Sequence, residues 1–360
     1  MKKNKRIHKI IISIFAIIGC FQLFTFSKKI IDTNFSNSLF YVAKSHIIPS
    51  KVDFCGEELP LNSKDIRERL DKEIIKNTYW HSSILLFYKR TGKYFPTIES
   101  ILKKNNIPED FKYLAIAESG LENVVSPAGA KGFWQFMEKT GKEYNLEINN
   151  EVDERYHLEK STQAACDYLK DAYQKFGSWT LVAASYNMGM YGLEKNLKRQ
   201  NVTSYYDLLL NSETARYVFR IVAFKIILEN PSIYGYNLNN TEKYSPLEFT
   251  SISVDSSISD FSRFSIARNI NYKILKIANP WLRQKYLKNK NSKKYIIKIL
   301  NSDYKVFTNY DTMNTGIVNP ARTNSVDSAV VYNKLDNLSK ENILYTDTIK
   351  KEENFETPIK

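Results

Sequence analysis

At 360 residues the chain has room for one large domain or two modest ones, each with an ample core. Its 43% apolar and 13% aromatic content, with only 12 glycines, excludes a wholly disordered chain and a fibrous or low-complexity one. A formal net charge of +13 suits an anionic lipid or an acidic polymer. No zinc-ligand spacing or aromatic RNA-binding motif accompanies the charge, so no nucleic-acid partner is expected.

The first element is an export signal. Lys2, Lys3, Lys5, Arg6 and Lys9 precede a mostly apolar run over residues 10–26. That run is long for a signal-peptide core and at the short limit for a membrane span. Residues 1–27 are therefore expected to be a signal peptide or an anchor, placing the protein in the cell envelope (periplasm). Ile17-Ile18-Gly19-Cys20 resembles a lipobox, which would put a lipid on Cys20. The chain stays apolar through Phe21 to Phe26, where lipoproteins turn polar, so a cleaved signal, an uncleaved anchor and a lipid anchor all stay open. Of the remaining cysteines, Cys55 and Cys166 could form one disulfide in an oxidising compartment, although two cysteines do not establish it. With no CxxC or Cys/His cluster, neither a structural metal nor a cofactor is expected.

Residues 28–60 lack periodicity and are expected to be a linker or an extended arm. From Ser63 the pattern is helical, with Ile66, Leu70, Ile74 and Ile75 on one face. Further helices are expected over 82–90, 97–105 and 108–118, the last with Pro108 in its first turn and Gly120 just past its end. A loop marked by Gly129 and Gly132 leads to helices over 133–144, 160–176, 179–188 and 213–229. Residues 61–235 thus form a mainly α domain. A small α+β appendage follows over 245–302, with β-branched stretches at 249–254 and 295–300 and a helical pattern through Ile266, Ile270, Ile274 and Leu275. From 303 to 360 the composition is polar and typical of a disordered tail.

Within the helical part, Glu118 ends the apolar run Tyr113-Leu114-Ala115-Ile116-Ala117. An apolar helix end raises a carboxylate's pKa by desolvation, and a proton held near neutral pH is what a general acid needs. Glu122, Glu138 and Asp153 are possible partners by position only. No second carboxylate is marked by its context, which favours a mechanism with one carboxylate over the usual pair.

Glu118-Ser119, Gly132-Phe133-Trp134-Gln135 and Tyr186-Asn187, in this order and at these separations, resemble the three signature motifs of the soluble lytic transglycosylase family of murein-cleaving enzymes. The resemblance spans about residues 60–235 and implies a goose-type lysozyme-like fold. It also implies a peptidoglycan lyase. The acid matching Glu118 would protonate the oxygen between N-acetylmuramic acid and N-acetylglucosamine, while the substrate's own acetamide steadies the cationic centre. The same residue, then ionised, would take the muramyl C6 hydroxyl proton, so that a 1,6-anhydro end forms and no water is consumed. By the same resemblance Ser119, Gln135, Tyr186 and Asn187 order the site or face the glycan. Glu213 and Tyr217 resemble a weaker fourth motif lining the cleft. Ser185 stands where alanine is usual, and Met188 and Met190 stand where small or polar residues are common. The segment 261–300 resembles a degenerate LysM repeat. The implied partners are peptidoglycan glycan strands and, through the N-terminal segment, a membrane. Two alternatives stand beside the lyase: a lysozyme-type hydrolase on the same fold, and a non-catalytic peptidoglycan-binding scaffold. The intact Glu118, Gln135, Tyr186 and Asn187 weigh against the scaffold.

Overall fold

The computed structural model describes residues 45–301; the expected export segment with Cys20 and the polar tail from 303 lie outside them. The first described elements are a short hairpin, β1 (Asp53–Phe54) and β2 (Glu57–Glu58), paired antiparallel. Its two-residue turn has Cys55 at φ 57° and Gly56 at φ 80°, the primed geometry that suits hairpin twist. The hairpin corrects the linker expectation for this stretch. Val52, Phe54 and Leu59 enter the main core, and Phe54 packs edge-on against Phe111. Three buried apolar side chains within eight residues are enough to dock a segment that has no helical period.

The helical domain is built from α1 (Lys64–Thr78), α2 (His81–Lys104), α3 (Phe111–Ser119), α4 (Glu138–Glu143), α5 (Leu158–Phe176), α6 (Trp179–Met188), α7 (Met190–Gln200) and α8 (Ser212–Glu229). Short α3 is apolar almost all round, and Phe111 and Tyr113 to Ala117 are buried. Such a helix belongs at the centre of a domain rather than on its surface. Helix α8 packs against both α3 and α1. On the α1 side the fully buried Glu73 takes a bidentate bond from Arg216, at 2.6 and 3.0 Å.

Three boundaries differ from expectation. Helix α2 runs unbroken through Pro96 where two helices were expected. Its buried row, Ile84, Phe87, Tyr88, Phe95, Ile98 and Leu102, continues across the proline, and the packing outweighs one lost hydrogen bond. Residues 133–136, expected to begin a helix, instead form a turn in which Lys131 bridges both Val125 and Phe136, leaving only the six residues of α4 helical. Helix α7 was not among the expected helices.

The C-terminal part is a βααβ unit: β3 (Phe249–Val254), α9 (Phe261–Ile266), α10 (Tyr272–Ala278) and β4 (Tyr295–Leu300). The strands pair antiparallel from Phe249↔Leu300 to Val254↔Tyr295. Its core of Phe261, Leu275, Trp281, Leu287 and Ile297 also takes in Val152 and Tyr156 from the helical domain. Backbone bonds from Asp153 N–H to the Trp281 carbonyl (2.9 Å) and from Arg283 N–H to that of Glu151 (2.7 Å) fasten the seam.

Candidate active site

Helix α3 ends at Glu118 and Ser119. Gly120 closes it at φ 60°, where a Cβ would lie 2.5 Å from the Phe87 ring. The Ser119 hydroxyl sits 2.9 Å from the Phe133 carbonyl and 3.1 Å from that of Ala115, tying the helix end to the following loop. In that loop Gly132 is obligatory. At φ 80°, its added Cβ would fall 1.9 Å from the Arg155 carbonyl oxygen. Gln135 adopts φ 50°, and its amide donates to the carbonyls of Gly132 (2.7 Å) and Val124 (3.2 Å). Trp134 is fully buried and donates to Thr162 at 2.9 Å, which makes its ring part of the core.

The backbone carbonyl of Trp134 accepts the Tyr186 hydroxyl at 2.8 Å. Beside Tyr186, the Asn187 oxygen accepts from Thr214 at 2.7 Å, and its nitrogen donates to Glu213 at 3.3 Å. One turn along α8, the Tyr217 hydroxyl donates to the Glu118 carboxylate. The four segments close a ring: Ser119 to Phe133, Trp134 to Tyr186, Asn187 to Thr214 and Glu213, and Tyr217 back to Glu118.

At the centre of this ring, burial pushes the Glu118 carboxyl up to about 7. The Tyr217 hydrogen bond and the Arg220 charge pull the other way, while the nearby Glu213 carboxylate adds to the rise. Burial, and then the Glu118 charge, hold the Tyr186 and Tyr217 hydroxyls well above their ordinary range, so both remain donors. The arrangement is a carboxylic acid that keeps its proton near neutral pH and a phenol positioned to steady the carboxylate once that proton leaves.

The other carboxylates considered are occupied elsewhere. Glu122 pairs with Arg90, exposed Glu138 lies 2.6 Å from Lys142, and Asp153 is buried against Arg155 at 2.7 Å. Glu213 is the carboxylate whose charge reaches Glu118. Sequence reasoning missed Thr214, which orients Asn187, and Arg220. Both share α8 with Tyr217, and Arg220 follows Glu213 and Tyr217 at helical spacing, the signal that could have found it. Cys55 and Cys166 are free thiols.

A helix-end acid with a raised pKa is thus enclosed by four linked segments. Residues 96–208 match the transglycosylase SLT domain, and residues 250–303 match the soluble lytic transglycosylase C-terminal LysM-like domain. The chain therefore carries a lysozyme-like SLT domain followed by a LysM-like one. Membrane-bound lytic murein transglycosylase D of Escherichia coli K12 is 32% identical over 199 residues, 53% of this chain and 43% of that protein. A putative tributyltin chloride resistance protein of Alteromonas sp. strain M-1 is 26% identical over 102 residues, 28% of this chain and 49% of that one. The chain spans less than half the length of either relative. A solved structure, the 70 kDa soluble lytic transglycosylase of Escherichia coli, is 22% identical with a TM-score of 0.33 over 42% of this chain and 26% of that one. So partial a match adds nothing about the site.

Proposed function

We propose that this protein is a peptidoglycan lytic transglycosylase that cleaves the β-1,4 bond between N-acetylmuramic acid and N-acetylglucosamine and leaves 1,6-anhydromuramyl ends. The observation that carries the reading is Glu118 at about 7 with Tyr217 donating to it. Protonated Glu118 gives its proton to the glycosidic oxygen. The resulting carboxylate is stabilised by the Tyr217 hydroxyl and the Arg220 charge, and it then takes the C6 hydroxyl proton as that oxygen attacks C1. One group alternates as acid and base, which works best when its pKa lies near ambient pH. The mechanism needs no second carboxylate, in keeping with the ion pairs that occupy Glu122, Glu138 and Asp153.

In this reading Ser119 and Tyr186 act through the loop carbonyls they hold, Gln135 shapes the loop facing the glycan, and Asn187 and Glu213 line the cleft. Residues 61–235 are the catalytic domain, 245–302 the LysM-like module, and 1–27 the export signal or anchor that places the enzyme on the peptidoglycan side of the membrane. Among the described residues no helix is long and apolar enough to cross a membrane.

Digestion of purified peptidoglycan, with the products weighed by mass spectrometry, tests the proposal. Anhydro ends, lighter by one water than reducing ends, are expected from the wild type. Their release falls at least about 100-fold in Glu118→Gln. Reducing ends would assign a hydrolase instead, and equal release by Glu118→Gln would remove the residue from the chemistry.

A further inference from the structure

The first turn of α8 carries two of the contacts that close the ring around Glu118, Thr214 to Asn187 and Tyr217 to Glu118 itself. The two residues stand three apart and so share a face of the helix. Both hydroxyls depend on the rotation of this one turn. A displacement of about 1 Å takes a good hydrogen bond out of range, so the backbone here has to be held closely.

Against this turn lies Tyr205, in a short 3-10 turn (Tyr205–Asp207) between α7 and α8, 1% exposed. Its hydroxyl sits 2.7 Å from the Ala215 carbonyl and 2.9 Å from that of Thr214. Burial pushes the pKa of this hydroxyl up, so it stays a donor, while the Arg69 charge and the Val218 N–H act on the oxygen in the opposite sense. The hydroxyl therefore stands at the rung of the α8 ladder where the Thr214 carbonyl faces the Val218 N–H. A side chain placed in the ladder sets the local course of a helix. Tyr217 lies within the turn so held, directly before Val218.

Arg69 of α1 completes the clamp. Its guanidinium donates to the Ala215 carbonyl at 2.7 Å and lies 4.5 Å from the Phe219 ring. The Tyr205 ring packs against Tyr206 and Phe219 at 5.6 and 5.9 Å. Those contacts would keep a phenylalanine in the same place, so the hydroxyl is not needed to fill the core. What it adds is directed at two adjacent carbonyls, both in the turn that presents Thr214 and Tyr217.

We propose that Tyr205 is a positioning residue of the reaction: through the Thr214 and Ala215 carbonyls it sets the first turn of α8, and so aims Tyr217 at Glu118 and Thr214 at Asn187. The proposal rests on the reading of Glu118 as the acid of a lytic transglycosylase. Tyr205→Phe in the full chain keeps the ring and removes only the hydroxyl. On soluble glycan fragments its kcat is expected to fall about tenfold with KM within about twofold. The alkaline limb of the pH–rate profile is expected to move to higher pH by up to about one pH unit, as it does when the Tyr217 bond is lost. Glu213 and Arg220 of α8 and Tyr186 of α6 also act on Glu118, so the limb is compared in the Tyr217→Phe background, where Tyr205→Phe moves it no further. Tyr206→Phe loses the neighbouring phenol hydroxyl and leaves both kcat and the limb unchanged. Arg69→Met gives a smaller displacement of the same sign, and it decides the matter should Tyr205→Phe fail to fold. A limb that stays in place, or that moves as far in the Tyr217→Phe background as in the wild type, overturns the positioning role whatever the melting temperature does. The carbon-13 resonance of the Glu118 carboxyl, assigned by its loss in Glu118→Gln, reads the same displacement without substrate. Product masses are scored separately. Reducing ends from the wild type sink the lyase and leave the Tyr205 comparison standing; anhydro ends with an unmoved carboxyl midpoint sink the role of Tyr205 alone.

Discussion

Glu118 is held at about 7 by opposed influences, and each can be removed singly. The Tyr217 hydrogen bond favours the carboxylate, so Tyr217→Phe raises the pKa of the acid and moves the alkaline limb of the pH–rate profile to higher pH. Glu213 disfavours the carboxylate, so Glu213→Gln lowers the pKa and moves that limb to lower pH. Limbs displaced in the same direction by both substitutions would contradict this electrostatic account. Stability follows from the same shift. The folded pKa lies above the ordinary 4.5, so the folded state holds the proton more tightly than the unfolded one. Below about pH 4.5 the carboxyl costs nothing; as pH rises through 7 the folded state loses up to about 3 kcal/mol. Glu118→Gln, which stays neutral, is therefore expected to raise the melting temperature at pH 8 and to change it little at pH 4.5, as calorimetry at the two pH values would show. A strained acid that costs stability and confers activity fits a functional site.

At the scale of elements, two small features hold the site together. A methyl at Gly132 would meet the Arg155 carbonyl at 1.9 Å and impose φ 80° on a side chain, whereas Gly129, at φ 88°, has nothing within 4 Å. Gly132→Ala is expected to lose about 3 kcal/mol or more, together with activity, while Gly129→Ala loses about 1 kcal/mol from backbone strain alone. Urea denaturation of the two variants separates close contact from strain. The hairpin matters through Glu57, whose carboxylate accepts from the backbone N–H groups of Trp179 (2.5 Å) and Thr180 (2.9 Å) and from the hydroxyls of Ser178 (2.9 Å) and Thr180 (2.6 Å). It caps α6, the helix that carries Tyr186 and Asn187, and it sits at the positive end of the helix dipole. Glu57→Ala is expected to cost about 1–2 kcal/mol in the same assay, and Glu58→Ala, on the exposed strand position, less than about 0.5 kcal/mol.

These elements also mark what the sequence could disclose. Helix α6 and both strands of the module were legible to the residue, because Gly177 and Gly189 bracket the one and β-branched runs define the others. Pro96 misled, since a local breaking signal does not report the burial that overrides it. Glu57 was invisible, for its partners lie more than 120 residues away. In the site, the motif residues were legible by resemblance. The bond from Tyr217 to Glu118 spans 99 positions, and only the packing of α8 on α3 creates it.

At the scale of the molecule, the helical domain and the LysM-like module are not independent beads. Val152 and Tyr156 are 1% and 4% exposed because they are buried in the module's core. They flank Asp153 and Arg155, the buried pair whose backbone also fixes Gly132. A cut at residue 245 would uncover both side chains, break the two backbone bonds across the seam and leave Glu159 without Lys298. The loss would pass from Tyr156 to the Arg155 carbonyl against which Gly132 packs, and from there to the loop that Ser119 and Tyr186 hold. A chain ending at 245 is therefore expected to melt several degrees below the full chain, and to lose anhydro-product release even on soluble glycan fragments, where binding to the intact wall plays no part. A module that only gathered substrate would behave otherwise. Its removal would slow digestion of insoluble peptidoglycan, leave turnover of soluble fragments intact, and leave the melting temperature unmoved. The soluble-fragment rate measured beside the melting temperature thus decides whether the module is an added binding unit or part of the wall that keeps the Glu118 loop in place.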